Sequence, residues 1–136
     1  MYRAVNALRR VLYLQAALWV LVGVALATVP RFVLVTLFDQ PPHQEFVWVR
    51  ALGVESIGLA LVTVLVAHRV EELWWWAWAF AFTTVAATVV VVLNAAFGLA
   101  RAESRLAWWS FAAVLVVLSL ALLYGLYISS REQPLP

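Results

Sequence analysis

Four long apolar stretches fill almost all of this 136-residue chain and leave only short charged connections between them. Each stretch is close to the ~20 residues that an α-helix needs to cross the hydrocarbon core of a bilayer. The pattern therefore predicts an all-α integral membrane protein of one domain, residues 1–136, folded as a four-helix up-down-up-down bundle. The predicted spans are residues 11–29, 46–67, 74–97 and 106–128.

The composition indicates what the chain is not suited to do. Hydrophobic residues make up 66% of it and charged residues only 12%, against about 25% charged in soluble domains. The chain has no Cys, which excludes thiolate nucleophiles and iron–sulfur clusters. His43 and His68 are predicted at opposite ends of the second span, too far apart to share a metal. We therefore expect no metal, no cofactor, no nucleic-acid partner and no independent enzyme activity.

The distribution of arginine predicts the orientation. The cluster before the first span usually dominates topology, so we expect both termini in the cytoplasm. Because all nine basic residues are arginine, we expect a bacterial cytoplasmic membrane. The first stretch also carries a small-residue pattern like a signal-peptide cleavage site, but its length and the following Pro30 favour a true span. The predicted cytoplasmic arginines are Arg3, Arg9, Arg10, Arg69 and Arg131, against Arg31, Arg50, Arg101 and Arg105 on or near the outer side.

The first connection and the aromatic residues are expected at the membrane surface. Residues 31–42 are too apolar for a free loop and too short to span, so they predict an interfacial segment, either a short helix or a capping segment, that ends at Pro41 and Pro42. A cover over the outer mouth of the bundle is the alternative. Aromatic side chains prefer the headgroup level, and we interpret them as an interfacial girdle rather than a cage for a cation. They are Trp48, Trp74, Trp75, Trp76, Trp78, Trp108, Trp109, Tyr124 and Tyr127.

Glu55 is the most unusual residue of the second span. It lies about nine residues, roughly 14 Å, from the predicted outer boundary, near the middle of a ~30 Å core. A charge at that depth costs at least ~2.5 kcal/mol, so the side chain needs a partner. Helical spacing places Ala51, Glu55, Gly58 and Val62 on one face, which we expect to pack against another helix.

Three interpretations of Glu55 stay open at this point. A neutral carboxyl could hydrogen bond across the bundle to Thr88 or Ser119. An ionised carboxylate could pair with Arg50, although five residues of separation place the two side chains about 140° apart. Alternatively, Glu55 could respond to protons or anchor a ligand in a buried cavity.

Other polar residues of the spans predict contacts between helices. Arg50 is close enough to the outer boundary for its guanidinium to reach the headgroups. Asn94 is expected at the same depth, which predicts an Arg50–Asn94 hydrogen bond. Gln15 and Thr63 lie toward the inner side, where a second polar contact is expected.

Residues 50–61, RALGVESIGLAL, resemble the glycine-rich second helix of DoxX-like bacterial membrane proteins, with Gly53, Glu55 and Gly58 in similar places. The proline-containing segment before them is also similar to that group. The resemblance implies a small four-helix membrane protein, and some members of the group resemble subunits of membrane oxidoreductases that use quinones. A supporting role beside a lipophilic redox carrier is the function that it implies.

Three functions follow as hypotheses. The first is a structural or accessory subunit that docks to another copy or a larger membrane complex, with Gly23, Ala25 and Ala27 or Ala86 and Ala87 permitting close approach of helices. The second is a binding module for a lipid, quinone or other hydrophobic ligand, oriented by Glu55, Arg50 and Asn94. The third is a proton-coupled exporter. Small multidrug transporters carry their key Glu in the first helix, where this chain has only Gln15.

Overall fold

A computed structural model describes residues 2–42, 44–98 and 105–132, and side chains within 4–131 of those ranges. These residues form helices and connections, with no strand among them. The long helices are α1 (Tyr2–Thr28), α2 (Val47–His68), α3 (Trp74–Leu93) and α4 (Arg105–Glu132). Two π-helical segments, Phe32–Leu37 and Asn94–Gly98, follow α1 and α3. All four long helices are apolar and long enough to cross a membrane, which suggests a multi-pass membrane protein.

The helix α1 begins nine residues before the predicted start of the first span at residue 11. The difference has a physical reason, because hydropathy marks only the part of a helix that can lie in lipid. Residues 2–10 include three arginines but also Val5 and Leu8, which are buried. One face of this first part packs, while Arg10 stays exposed.

The first connection is helical over residues 30–37, as the prediction of a short helix anticipated. The helical part ends at Leu37, before the prolines, and Asp39 adopts a left-handed backbone with φ of 52°. Phe38 attaches the connection to α4, since its ring centroid lies 4.8 Å from that of Trp108 and 6.0 Å from that of Phe111. Edge-to-face rings at these distances attract each other beyond the area that they bury. His43, Arg101 and the residues after 132 lie outside the described residues.

The buried core lies at one end of the helices, which we call the near end: the start of α1, the end of α2, the start of α3 and the end of α4. α1 packs most extensively on α2, and α4 contacts both α1 and α3, whereas α2 and α3 touch over a small area. The near end is the best-packed part of the described chain, because large aliphatic side chains are buried there. Several of these side chains are completely buried. The main core residues are Val5, Leu8, Leu12, Val66, Ala67, Val70, Trp74, Ala77, Phe80, Leu118, Leu122 and Leu126.

The opposite end, which we call the far end, comprises the end of α1, the first connection, the start of α2, the end of α3 and the start of α4. Few of its side chains are buried. α1 and α2 nevertheless approach closely there, because Gly23 and Gly53 face each other. A Cβ built on Gly53 would lie 2.6 Å from the backbone N of Ala27 and 2.6 Å from the backbone O of Gly23. The missing side chains allow the two backbones to touch.

The predicted aromatic girdle is only partly consistent with this packing. Trp75, Trp76 and Trp78 are exposed, as residues at a headgroup level would be. Trp74 is buried instead, and its Nε1 donates a hydrogen bond to Ser129 Oγ at 2.8 Å. Successive helical residues point about 100° apart, so a run of tryptophans cannot present every ring to the same surroundings.

Candidate functional site

Besides the Trp74–Ser129 bond, four groups of polar side chains stand out among the described residues. They are a clamp at the near end, two further hydrogen-bonded pairs between helices, the exposed face of α2, and an arginine-lined groove at the far end. Within the ranges that the structure describes, no three His, Cys, Asp or Glu side chains come together in a way that could hold a metal.

The clamp at the near end is formed by Arg9. Its Nε donates to the backbone O of Ala67 at 3.1 Å, and its Nη2 lies 2.6 Å from Glu71 Oε1. Nη1 also donates to Asn6 Oδ1 at 3.2 Å. The carbonyl groups in the last turn of a helix have no partner within that helix, and a cation beside them is favourable. Arg9 thus ties the start of α1 to the end of α2.

The first hydrogen-bonded pair joins α1 to α3. Gln15 is completely buried, and its Nε2 donates to Thr84 Oγ1 at 2.7 Å. The Oε1 of the same amide is buried without a partner among the described residues. Thr63 is completely buried as well, but its hydroxyl donates to the backbone O of Leu59 within α2. The predicted Gln15–Thr63 contact was therefore wrong: the hydroxyl of Thr63 finds an acceptor one turn earlier in its own helix.

The second pair joins α3 to α4 through Thr88 Oγ1 and Ser119 Oγ, 2.8 Å apart. Both residues are buried, and the hydrogen bond between them gives each hydroxyl a partner. Thr88 and Ser119, predicted as possible partners of Glu55, are bonded to each other instead. Because these hydroxyls satisfy one another, they need no carboxyl.

Glu55 lies on the exposed face of α2. Ala51, Gly58 and Val62, which share that face, are exposed too, and a Cβ built on Gly58 would meet no atom within 4 Å. The expectation that this face packs against another helix of the chain was wrong. The face of α2 that packs carries Gly53, Ala60, Thr63 and Ala67, because only Gly53 permits the close contact with Gly23.

Arg50, Glu55 and Asn94 do not form one cluster. No hydrogen bond or ion pair connects any two of them in the described part of the chain, so the predicted Arg50–Asn94 bond was wrong. Arg50 instead lines a groove with the end of α1 and the first connection. Asn94 is half-buried at the start of the second π-helical segment. α2 and α3 touch too little to bring side chains from the far parts of both helices together.

An apolar cavity lies beneath the first connection, between α1 and α4. Its volume is about 360 Å³, within the range of small-molecule sites. The lining consists only of aliphatic and aromatic residues: Leu18, Leu21, Val22, Ala25, Leu26, Val33, Leu34, Leu37, Phe38, Trp108 and Phe111. Such a cavity can accommodate an acyl chain or another apolar group and offers nothing to a charged one.

Several residues of these groups were missed in the sequence. Arg9 was read only as an orientation signal, Trp74 only as part of the girdle, and Thr84 was not considered. Thr84 and Thr88 are four residues apart on one face of the third span, and that spacing was the available signal. The partner of Arg9 could not be predicted from neighbouring residues, since Glu71 is 62 residues away.

No known protein family, curated protein or solved structure matches this chain. The resemblance of residues 50–61 to DoxX-like proteins therefore stays a prediction.

Proposed function

We propose that the protein is a small integral membrane subunit that assembles with a second copy of itself through the exposed face of α2. The observation that carries the proposal is Glu55, a carboxyl near the middle of an apolar helix with no partner among the residues that the structure describes. Facing lipid, its charge would cost at least ~2.5 kcal/mol. Another protein surface can supply the hydrogen bonds that lipid cannot.

The rest of that face suits close contact between helices. Ala51 and Gly58 lie beside Glu55 and are small, which allows two backbones to approach. A two-fold axis is the commonest symmetry of homo-oligomers. An axis parallel to α2 would place the two Glu55 side chains at the same depth, beside each other.

The proposed setting is a bacterial cytoplasmic membrane, crossed up and down four times, with both termini in the cytoplasm. In this arrangement the near end faces the cytoplasm. Its support is the arginine cluster at the start of α1, which the positive-inside rule places there. An accessory role in a larger assembly, as the DoxX-like resemblance implies, is compatible with such a dimer.

Cross-linking from a single cysteine tests the assembly directly, because the natural chain contains no Cys. The variant Gly58→Cys, treated in membranes with a short bismaleimide, is expected to give a product of twice the 15.2 kDa chain mass. Adding Glu55→Leu should reduce that product about tenfold, since hydrogen bonds between membrane helices contribute roughly 0.6 to 2 kcal/mol. Glu55→Gln, which keeps the hydrogen-bonding groups, should retain most of it.

The matched control is Val117→Cys, which places the thiol at an exposed position in the middle of α4. It should still assemble through α2 but give no cross-linked product under the same conditions. Equal cross-linking from Gly58→Cys and Val117→Cys would mean random collision, and no product from Gly58→Cys would disprove assembly through α2.

The second candidate function is binding of a hydrophobic molecule, favoured by the cavity beneath the first connection. The ligand would be held by apolar contacts and not by Glu55, Arg50 and Asn94, which lie apart. Decyl-benzoquinone is a suitable probe, since the DoxX-like resemblance implies a lipophilic redox carrier. Native mass spectrometry is expected to show one probe molecule per chain, and Ala25→Trp, which places an indole in the cavity, should reduce its occupancy about tenfold.

Ala86→Trp is the control for that experiment, because Ala86 is exposed on α3 and does not line this cavity. Equal binding to both variants and to the unchanged protein would place the probe in the detergent or elsewhere on the surface. That result would remove the cavity as a ligand site and would leave the assembly proposal unaffected.

A further inference from the structure

Two arginines face one groove at the far end of the molecule. Arg31 lies at the start of the first connection and Arg50 lies in the first turn of α2, roughly 4.5 Å past Val47 at the helical rise. Both line the same open groove, which has a volume of about 690 Å³. Both side chains are exposed. Neither guanidinium makes an ion pair or a hydrogen bond with any residue that the structure describes.

The remainder of the groove is mainly apolar. Val29, Phe32, Val35 and Phe46 line it beside the two arginines. The carboxylates Asp39 and Glu45 belong to the same connection but do not line the groove. A site with this composition favours a molecule that has an anionic group at one end and hydrocarbon next to it. A guanidinium binds phosphate oxygens through two parallel N–H donors, and aliphatic and aromatic side chains bind acyl chains.

We propose that this groove binds one anionic phospholipid, with its phosphate between Arg31 and Arg50 and the first part of an acyl chain against Val29 and Phe46. The inference rests on the proposed membrane insertion but not on assembly through α2. A phospholipid is preferred to a soluble phosphate because the groove combines two unpaired cations with apolar walls. It would also explain how Arg50 is accommodated just inside an apolar helix without a partner among the described residues.

The experiment is a competition measured by native mass spectrometry. The protein is released from micelles that contain equimolar dioleoylphosphatidylglycerol and dioleoylphosphatidylcholine, and the bound lipids are identified by mass. The unchanged protein is expected to retain a single phosphatidylglycerol in preference to phosphatidylcholine. Each of the variants Arg31→Gln and Arg50→Gln should lower that preference about fivefold, and the double variant should abolish it.

Three comparisons make the result decisive. Arg105→Gln removes an exposed arginine from the same end of the molecule but outside the groove, so it should keep the preference. Glu55→Leu should keep it too, which separates the lipid site from the assembly proposal. Excess inorganic phosphate should not displace the lipid. An unchanged preference in the double variant, no preference in the natural protein, or full displacement by phosphate would each overturn the proposal.

Discussion

Replacing Gly53 with alanine is expected to lower the free energy of unfolding by about 3 kcal/mol, at the upper end of what overpacking usually costs. The added methyl group would lie 2.6 Å from the backbone N of Ala27 and 2.6 Å from the backbone O of Gly23. Both are backbone atoms, so no side chain can rotate away to make room. α1 and α2, the pair with the most extensive contact in the described chain, would have to separate.

The measurement is unfolding in mixed micelles by titration with sodium dodecyl sulfate, followed by circular dichroism. Gly58→Ala is the matched control, since it changes the same residue type in the same helix at a position where nothing lies within 4 Å. That change should leave the stability of the monomer unchanged or raise it slightly, because alanine favours helix by up to ~1 kcal/mol over glycine. Equal effects of the two substitutions would contradict the packing of α1 on α2 through Gly23 and Gly53.

The second large effect is expected from Arg9→Gln, which should lower the free energy of unfolding by roughly 2 to 3 kcal/mol. The substitution removes a charge-assisted hydrogen bond to the Ala67 carbonyl, a type worth about 1.5 to 3 kcal/mol. It also removes the ion pair with Glu71, which contributes less because the Glu71 side chain is 53% exposed and exposed pairs are worth ~0 to 1 kcal/mol. The same titration in mixed micelles measures the loss.

Arg10→Gln is the control for Arg9, because it removes the same charge one residue later. Arg10 is exposed, and no hydrogen bond or ion pair of its side chain occurs within the described residues. Both substitutions weaken the positive-inside signal equally. A difference between their free energies of unfolding therefore measures the contribution of the contacts of Arg9 with α2. If Arg10→Gln were as destabilising as Arg9→Gln, the effect would come from orientation in the membrane and not from contact with α2.

Much of the fold could be predicted because the information is local. Four helices long and apolar enough to cross a membrane were expected from hydropathy, and the structure contains them. A short helix in the first connection followed from a run of apolar residues before Pro41 and Pro42. Residues 2–10 were not assigned to α1, because their arginines lower the hydropathy although their buried face is apolar.

The candidate site was predicted less well, because the sequence does not say which face of α2 packs. α2 is apolar almost all round, so periodicity does not distinguish its faces. Glycines occur on two of them, and the helix contact was predicted on the face of Gly58 and Glu55. In the structure the helix contact is on the face of Gly53, because Gly23 on α1 lies opposite and also lacks a side chain.

The sequence by itself determined how many long apolar helices this protein has, roughly where each one lies and which polar residues interrupt them, since length and hydropathy are properties of neighbouring residues. Only the tertiary structure decided that Gln15 bonds to Thr84, that Arg9 reaches Glu71 and Ala67, and that Glu55 is left exposed. These pairings depend on how each helix is rotated about its axis. Contacts between backbones set that rotation, here at Gly23 and Gly53, which are 30 residues apart in the chain.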